Sequence, residues 1–504
     1  MSRPVSADLH ELIHALTQTE KRYVRLFLTR HVDERENKSV RLYDAIAAQT
    51  SYDEALLKRT ASGESFVKRL PEAKRELTRM ILRAMRQYHA ENGRQRRAIT
   101  ALLDADFLHE RGLDHLALEH IDDAMRLAVE TEDYALATRA ILHRDNYTYR
   151  SDPHPSDLPP LDRDPVIQSA EALLEFTTFY QVAKRMAAIV QRYGHSPNAE
   201  ARRLAEHLVQ EALSRGKPVR RDARMVWLRI LSRKAFWIDH DYTAALEYDL
   251  ERLKIFESDP HYRIERMGPW INLQFTVASQ MILTKRPNEA LPFLESFRSI
   301  LAQERLTADI RRGLKEHIVN IETLYYLNTL CADRYQVTGE EVRNLIADLD
   351  RYGPSQAWMG ARLNLGLYRA VVGQLTDALT LISPVADSSS PIRADIRTAC
   401  RLLRIIIHYD LGHTDLVESL VRSERRRKRA SPMPRDEEYA LSVLARLADT
   451  TSATRRRKLL DEALQTIDQL LLNPETSTVI TVFNFASWLR ARRTAQPWST
   501  TLLQ

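Results

Sequence analysis

The clearest pattern in the first hundred residues is an apolar stripe. Leu77, Ile81, Met85 and Tyr88 recur at intervals of four, four and three, which predicts one buried face of a long helix. The helix starts near Pro71, whose missing N–H matters little in a first turn. Arg75, Arg79 and Arg86 fall on the opposite side, with Arg83 close by. Upstream, Ala7 to Leu16 reads as a first helix. A second opens at Thr17 with Glu20 three residues on, a capping-box arrangement, and carries Tyr23, Phe27 and Leu28 on one face. Leu42 and Ile46 suggest a third. Residues 1–97 are therefore expected to form an N-terminal helical module.

Beyond this module a different regularity appears: a short turn followed by a small residue. Gly112 precedes Ala117 and Ala124, Asp241-Tyr242 precedes Ala245, Pro287-Asn288-Glu289 precedes Ala290, Gly373 precedes Ala378, and Gly412 precedes Val417. With the turns taken as Gly112, His240, Lys285, Gly373 and Gly412, the gaps are 128, 45, 88 and 39 residues. These lie near three, one, two and one steps of about 40–45 residues, a period suited to helical hairpins. Small residues let two helix axes approach, Gly supplies the left-handed conformation that ends the first helix, and a hairpin that cannot bury both faces stacks on its neighbours. The stretch Arg150 to Val166 holds Pro153, Pro155, Pro159, Pro160 and Pro165, so a linker or long loop is expected there. Pro432 and Pro434 mark a lesser break between Ser431 and Asp436. The division that follows is a module at 1–97, first repeat helices at 98–149, a Pro-rich linker or loop at 150–166, a degenerate α-solenoid at 167–490 and a tail at 491–504.

Gly112-x4-Ala117-x6-Ala124 and Leu365-Gly366…Gly373-x4-Ala378 resemble the tetratricopeptide consensus. The departures are specific. Arg229 stands where that consensus prefers a bulky aromatic, His240 replaces the turn glycine, and the copies near Gly194 and Asp333 are barely recognisable. A second resemblance is carried by Leu16-Thr17-Gln18-Thr19-Glu20-Lys21-Arg22-Tyr23, Leu42-Tyr43-Asp44-Ala45-Ile46, Tyr52-Asp53-Glu54 and Leu82-Arg83-Ala84-Met85-Arg86-Gln87-Tyr88. These are similar to a group of bacterial, chiefly Bacteroidota-type, helical repeat proteins without an assigned activity. The resemblances imply an all-α, TPR-like helical-hairpin solenoid and a cytoplasmic location, and are silent on mechanism.

Composition agrees with helices. Only 13 glycines and 20 prolines occur in 504 residues, too few for the turns of an all-β chain. Hydrophobic residues are 44% and charged residues 28%, an ordinary globular balance. Net charge is +6, yet residues 1–97 carry 20 Lys and Arg against 13 Asp and Glu, so the basic excess belongs to the N-terminal module. Cys331 and Cys400 cannot build a disulfide framework and read as reduced, buried thiols. No signal-peptide-like run precedes Lys21, and apolar stretches such as Leu402 to Tyr409 are too short to span a bilayer. A soluble cytoplasmic protein, off the membrane, is expected.

Motifs that could carry chemistry lack their contexts. His10-Glu11-Leu12-Ile13-His14 satisfies HExxH, but no third ligand or substrate-binding strand accompanies it, and an amphipathic helix using Leu9, Leu12, Ile13 and Leu16 explains the segment. His109, His115 and His120 do not share a helical face. His143-Arg144-Asp145 has Arg150 where a kinase catalytic loop needs Asn, and Gly216-Lys217 lacks the upstream Gly of a phosphate loop. Acidic pairs such as Asp122-Asp123 and Glu340-Glu341 read as solvated helix faces. The expectation is no catalytic residue, no cofactor and no metal. Two basic runs, Arg425-Arg426-Arg427-Lys428-Arg429 and Arg455-Arg456-Arg457-Lys458, read as solvated helix ends without aromatic residues for base stacking. Trp227, Trp237, Trp270 and Trp358 read chiefly as interhelix packing. Alignment of the repeats puts Asp106, His109, Lys234, Trp237, Asn272 and Ser279 on groove positions as candidate partner-binding residues. Function is thus expected to be that of a non-catalytic scaffold or adaptor binding a protein or peptide. The alternative is a regulator whose basic module (Arg75, Arg79, Arg83, Arg86) binds nucleic acid while the repeats sense a partner. The missing helix-turn-helix makes nucleic acid the less favoured partner.

Overall fold

In a computed structural model, the described residues are 7–30, 37–148, 164–194, 198–303, 306–330, 344, 346–347, 350, 355–389, 393–427, 435–471 and 484–502. Among them helices and turns account for the regular structure and there is no β-strand. Contacts gather the chain into two units, Met1–Leu174 with Leu301–Gly313, and Glu175–Ile300 with Leu314–Gln504. The Pro-rich stretch from residue 149 to 163, Cys331, Asp333 and residues 428–434 lie outside the described residues.

The first unit begins with α1 (Asp8–Ala15), α2 (Gln18–Thr29), α3 (Lys38–Ala47), α4 (Glu54–Thr60) and α5 (Leu70–His89). Sequence punctuation sets these boundaries. The Thr17 hydroxyl accepts from the Glu20 amide at 3.2 Å and the Glu20 carboxylate accepts from the Thr17 amide at 2.7 Å, so the expected capping box forms. Asn37 and Asp53 cap α3 and α4 in the same way. Leu77 and Ile81 of α5 are fully buried with Ile13, Val24, Leu42, Ile46 and Leu57, while Met85 packs at the edge of this core. Tyr88 stands 4.8 Å from the Tyr23 ring. Helices α6 (Arg94–His109), α7 (Asp114–Glu130) and α8 (Tyr134–Thr148) then pack in sequence, with α6 also against α8.

The second unit takes α9 (Pro165–Tyr193) from Glu175 on, followed by α10 (Ala199–Ser214) and α11 (Arg221–Lys234), which ends in a π-helical turn, Ala235–Asp239. Next come α12 (Tyr242–Glu257), α13 (Pro260–Glu265), α14 (Met267–Leu283), α15 (Pro287–Leu301) as far as Ile300, and α16 (Ala308–Thr329) from Leu314 on. The chain finishes with α17 (Gln356–Val371), α18 (Leu375–Ala386), α19 (Ala394–Asp410), α20 (Thr414–Arg427), α21 (Arg435–Asp449), α22 (Ala453–Leu471), α23 (Phe485–Thr494) and α24 (Ser499–Leu502). From α17 to α24 each helix packs on the next, and α17 also meets α19, as α19 meets α21. Neighbour-on-neighbour contact with alternate helices side by side is the arrangement of a helical-hairpin repeat. Trp498, in the segment read as a tail, is buried and donates to the Ser487 hydroxyl at 2.8 Å.

One turn joins these hairpins. All five aligned positions have positive φ: Gly112 (+74°), His240 (+57°), Lys285 (+65°), Gly373 (+84°) and Gly412 (+79°). Glu132 (+54°), which the repeat pattern does not mark, is a sixth. Five residues after each lies Ala117, Ala137, Ala245, Ala290, Ala378 or Val417, every one fully buried. The amide after the turn donates back to a carbonyl five residues earlier: Leu113 to Leu108 (3.0 Å), Asp133 to Ala128 (2.9 Å), Arg286 to Met281 (2.8 Å), Gln374 to Arg369 (2.8 Å) and His413 to His408 (3.0 Å). This bond satisfies a helix-end carbonyl and aims the chain into the next helix. At His240 the reach is six residues, Asp241 to Ala235 at 2.9 Å, because α11 ends in a wider turn. Close approach of the paired helices is sharpest at Gly366 of α17, where a Cβ would come within 2.3 Å of the Ile382 Cγ2 on α18. No described helix is long and apolar enough to cross a membrane.

Since Gly373 tolerates the left-handed region and Lys285 occupies it at a conformational cost, opposite substitutions are expected to have opposite effects. Gly373→Ala should destabilise and Lys285→Gly stabilise, each by about 1 kcal/mol. Thermal unfolding of the two variants beside the parent checks both signs.

Candidate functional site

A group of incompletely paired arginines sits on α11 and α12. Met225, Val226, Leu228, Ile230 and Leu231 of α11 are buried, which leaves Arg229 and Arg233, four apart, to share the remaining helix face. Arg252 reaches the same place from α12. The carboxylate there is Asp249, which is fully buried and already occupied. It accepts from the Ser232 hydroxyl (2.5 Å), the Gln280 amide (2.9 Å) and the Arg252 guanidinium (2.5 Å), pinning α11, α12 and α14 together. Arg233 donates to the Ala183 carbonyl of α9 at 3.2 Å. Arg229 makes no hydrogen bond or ion pair among the described residues, and its Nε is enclosed without an acceptor. Burial, together with Arg233 and Arg252, pushes its guanidinium down to about 10, and burial and Arg252 lower Arg233 as well.

Cations around this spot are matched. Arg221 meets Asp259 at 3.1 Å and lies over the Tyr262 ring, Arg266 meets Asp222 at 2.6 Å, Arg220 meets Glu175 at 3.1 Å, and Arg224 and Lys217 share Glu251. The surplus is therefore local to Arg229, since Asp249 favours the Arg233 charge. Enclosing part of a guanidinium without a paired carboxylate lowers the stability of the hairpin.

The six groove candidates from the sequence all have intramolecular contacts. In the first unit Asp106 accepts from the Tyr147 hydroxyl at 2.9 Å and pairs with His143 at 2.8 Å. His109 pairs with Asp114 at 2.6 Å and stacks on Tyr147 with ring centres 3.8 Å apart. Burial and Asp106 push the Tyr147 phenol up to about 12. In the second unit Lys234 pairs with Asp239 at 2.7 Å, and Ser279 donates to the Phe275 carbonyl at 2.8 Å. Trp237 lies 4.8 Å from the Arg393 guanidinium, which makes a two-pronged pair with Asp395 at 2.8 Å for each bond. The Arg393 amide donates to the Gln191 carbonyl at 3.2 Å, and a Cβ on Gly194 would come within 2.2 Å of the Asp395 carboxylate. Asn272 accepts from His317 Nε2 at 2.7 Å.

The basic residues divide. Arg75, Arg79, Arg83 and Arg86 are exposed on α5, and the first two help line a shallow pocket of about 430 Å³ with Lys38, Phe66, Arg69 and the carboxylates Glu72 and Glu76, the latter 3.1 Å from Arg79. Arg425 is held by Glu438 at 2.8 Å and by Ser442, Arg427 approaches Glu424 at 3.9 Å, and Arg426 is exposed. Lys428 and Arg429 lie outside the described residues. In the HExxH segment Leu9 and Ile13 are core residues and His10 donates to the Gln49 carbonyl at 2.9 Å. No three His, Cys, Asp or Glu side chains among the described residues are grouped to hold a metal ion. Cys400 is buried, and burial pushes its thiol up.

No protein-family model matches the chain, and no curated protein matches it. The arginine cluster escaped the sequence reading, which noted Arg229 only as a departure from a repeat consensus. Its signal was the four-residue spacing of two arginines in an otherwise apolar helix.

His317 gives a pH test of this unit. It stacks on Phe275 with ring centres 4.3 Å apart, and burial pushes its imidazole down to about 4. A folded value below the unfolded one of about 6.5 means that the unfolded chain binds the proton more readily between these limits. Stability should fall as pH drops through that window, by about 2 kcal/mol between pH 7 and pH 5. Urea unfolding at the two pH values should show this loss in the parent and a smaller one in His317→Gln.

Proposed function

We propose that the protein is a non-catalytic scaffold or adaptor that binds a protein or peptide partner on the exposed faces of its helical hairpins, with the α11–α12 hairpin as the principal contact. The observation that carries this reading is Arg229, which has no hydrogen-bond or ion-pair partner among the described residues and an enclosed Nε without an acceptor, so that a partner supplying negative charge would match it. The resemblance to tetratricopeptide repeats and to Bacteroidota-type helical repeat proteins supports a binding role, as does stacking of alternate helices, which creates extended surfaces. We infer a cytoplasmic location from the same resemblance and from the buried thiol of Cys400.

Lysines flank the proposed contact at Lys217, Lys234 and Lys254. Amine-reactive cross-linking of the full chain in lysate, with mass-spectrometric mapping, is expected to join one recurrent protein partner to these three positions. Cross-links confined to other parts of the chain, or none to a recurrent protein, would remove the reading.

A second reading has its own observation, the exposed arginines of α5 beside a shallow basic pocket. Nucleic-acid binding through this face predicts a mobility shift with duplex DNA or RNA at about 50 mM salt that fades steeply by about 200 mM. Arg75→Glu with Arg79→Glu should abolish it. An absent shift at low salt eliminates this role.

A further inference from the structure

The proposed partner contact can be given a chemical identity. Arg229 and Arg233 lie four apart on α11, Arg252 holds Asp249 from α12, and that carboxylate is fully engaged by Ser232, Gln280 and Arg252. Arg252 is thereby spoken for, and Arg233 has one carbonyl acceptor. Arg229 retains its donor fork. Both Arg229 and Arg233 keep some exposure, so the fork is sealed at Nε and open to solvent beyond it. A planar fork of donors in a partly dry site matches the geometry of an oxyanion, whose oxygens accept two parallel hydrogen bonds. A cation would be repelled, and a neutral ligand would leave the charge unmatched.

Resting on the scaffold reading above, we infer that Arg229, assisted by Arg233 and Arg252, forms an oxyanion-binding site that takes an acidic or phosphorylated side chain of the protein partner. The shared chemistry is a delocalised oxyanion carrying one or two negative charges.

Such a site trades stability of the free protein for binding, and this separates it from a structural arginine. Thermal unfolding of the full chain is measured in sodium phosphate and in sodium chloride of equal ionic strength. The parent is expected to melt higher in phosphate. Arg229→Met is expected to melt above the parent in chloride and to lose the phosphate response. A lower melting point for Arg229→Met with an unchanged phosphate response would overturn the inference. Should Arg229→Met not fold, that too counts against it, because an unmatched charge cannot be required for folding. Arg229→Lys, which keeps the charge without the fork, should bind at least tenfold more weakly than the parent.

Two labelled peptides identify the source of the oxyanion. Tight binding of a Glu-rich peptide, weakened at least tenfold by Arg229→Met, assigns carboxylates. Binding only of a version bearing phosphoserine assigns a phosphorylated partner. If neither peptide nor phosphate responds to Arg229→Met, the inference fails. A partner that still cross-links near Lys234 in Arg229→Met at undiminished yield would sink the oxyanion site and leave the scaffold reading standing. Phosphate stabilisation without any cross-linked partner would do the reverse.

Discussion

A single residue in the left-handed conformation, followed by a backward hydrogen bond and a small side chain five positions on, organises the hairpins that turn at Gly112, Glu132, His240, Lys285, Gly373 and Gly412. The three parts depend on one another. Positive φ at the turn lets the next amide reach the carbonyl five residues back. That bond fixes the direction in which the following helix leaves, and the direction sets which residue of its first turn meets the preceding helix. Alanine or valine is found there because a larger side chain would hold the axes apart. Glycine is the natural occupant of the turn, but His240, Lys285 and Glu132 show that tertiary packing supports L-residues in the same conformation.

The legibility of the fold follows from this local device. Gly112, Gly373 and Gly412 announced their turns directly, and the alanines after them gave the register even where His240 or Lys285 stood in for glycine. Glu132 was missed because neither its own identity nor its neighbours signal a turn; only the buried Ala137 betrays it. The N-terminal module was readable for a different reason. Thr17 with Glu20, and the four-residue spacing from Leu77 to Ile81, are short-range signals that need no partner elsewhere in the chain.

The candidate site was less legible because it is assembled across helices. Arg229 and Arg233 are neighbours on α11, but the significance of their charge depends on Asp249 being consumed by Ser232 and by Gln280, the latter 31 residues downstream. Sequence shows charges and cannot show which of them are already matched. The same limit explains the groove candidates. Asp106 and His109 do share a constellation, yet its other members, His143 and Tyr147, belong to a later helix and complete it only in three dimensions.

The contact among Gln191, Gly194, Arg393 and Asp395 bears on how this chain can evolve. An array in which each hairpin touches only its neighbours can gain or lose a hairpin without penalty elsewhere. Here two stretches some two hundred residues apart in sequence meet through a backbone hydrogen bond, a two-pronged ion pair and a glycine that leaves no room for a Cβ. Duplicating or deleting a hairpin between them would carry one stretch away from the other and strand a buried charged pair. The contact thereby ties the length of the interval to the fold, so that a substitution on a hairpin face disturbs less than an inserted or deleted hairpin does.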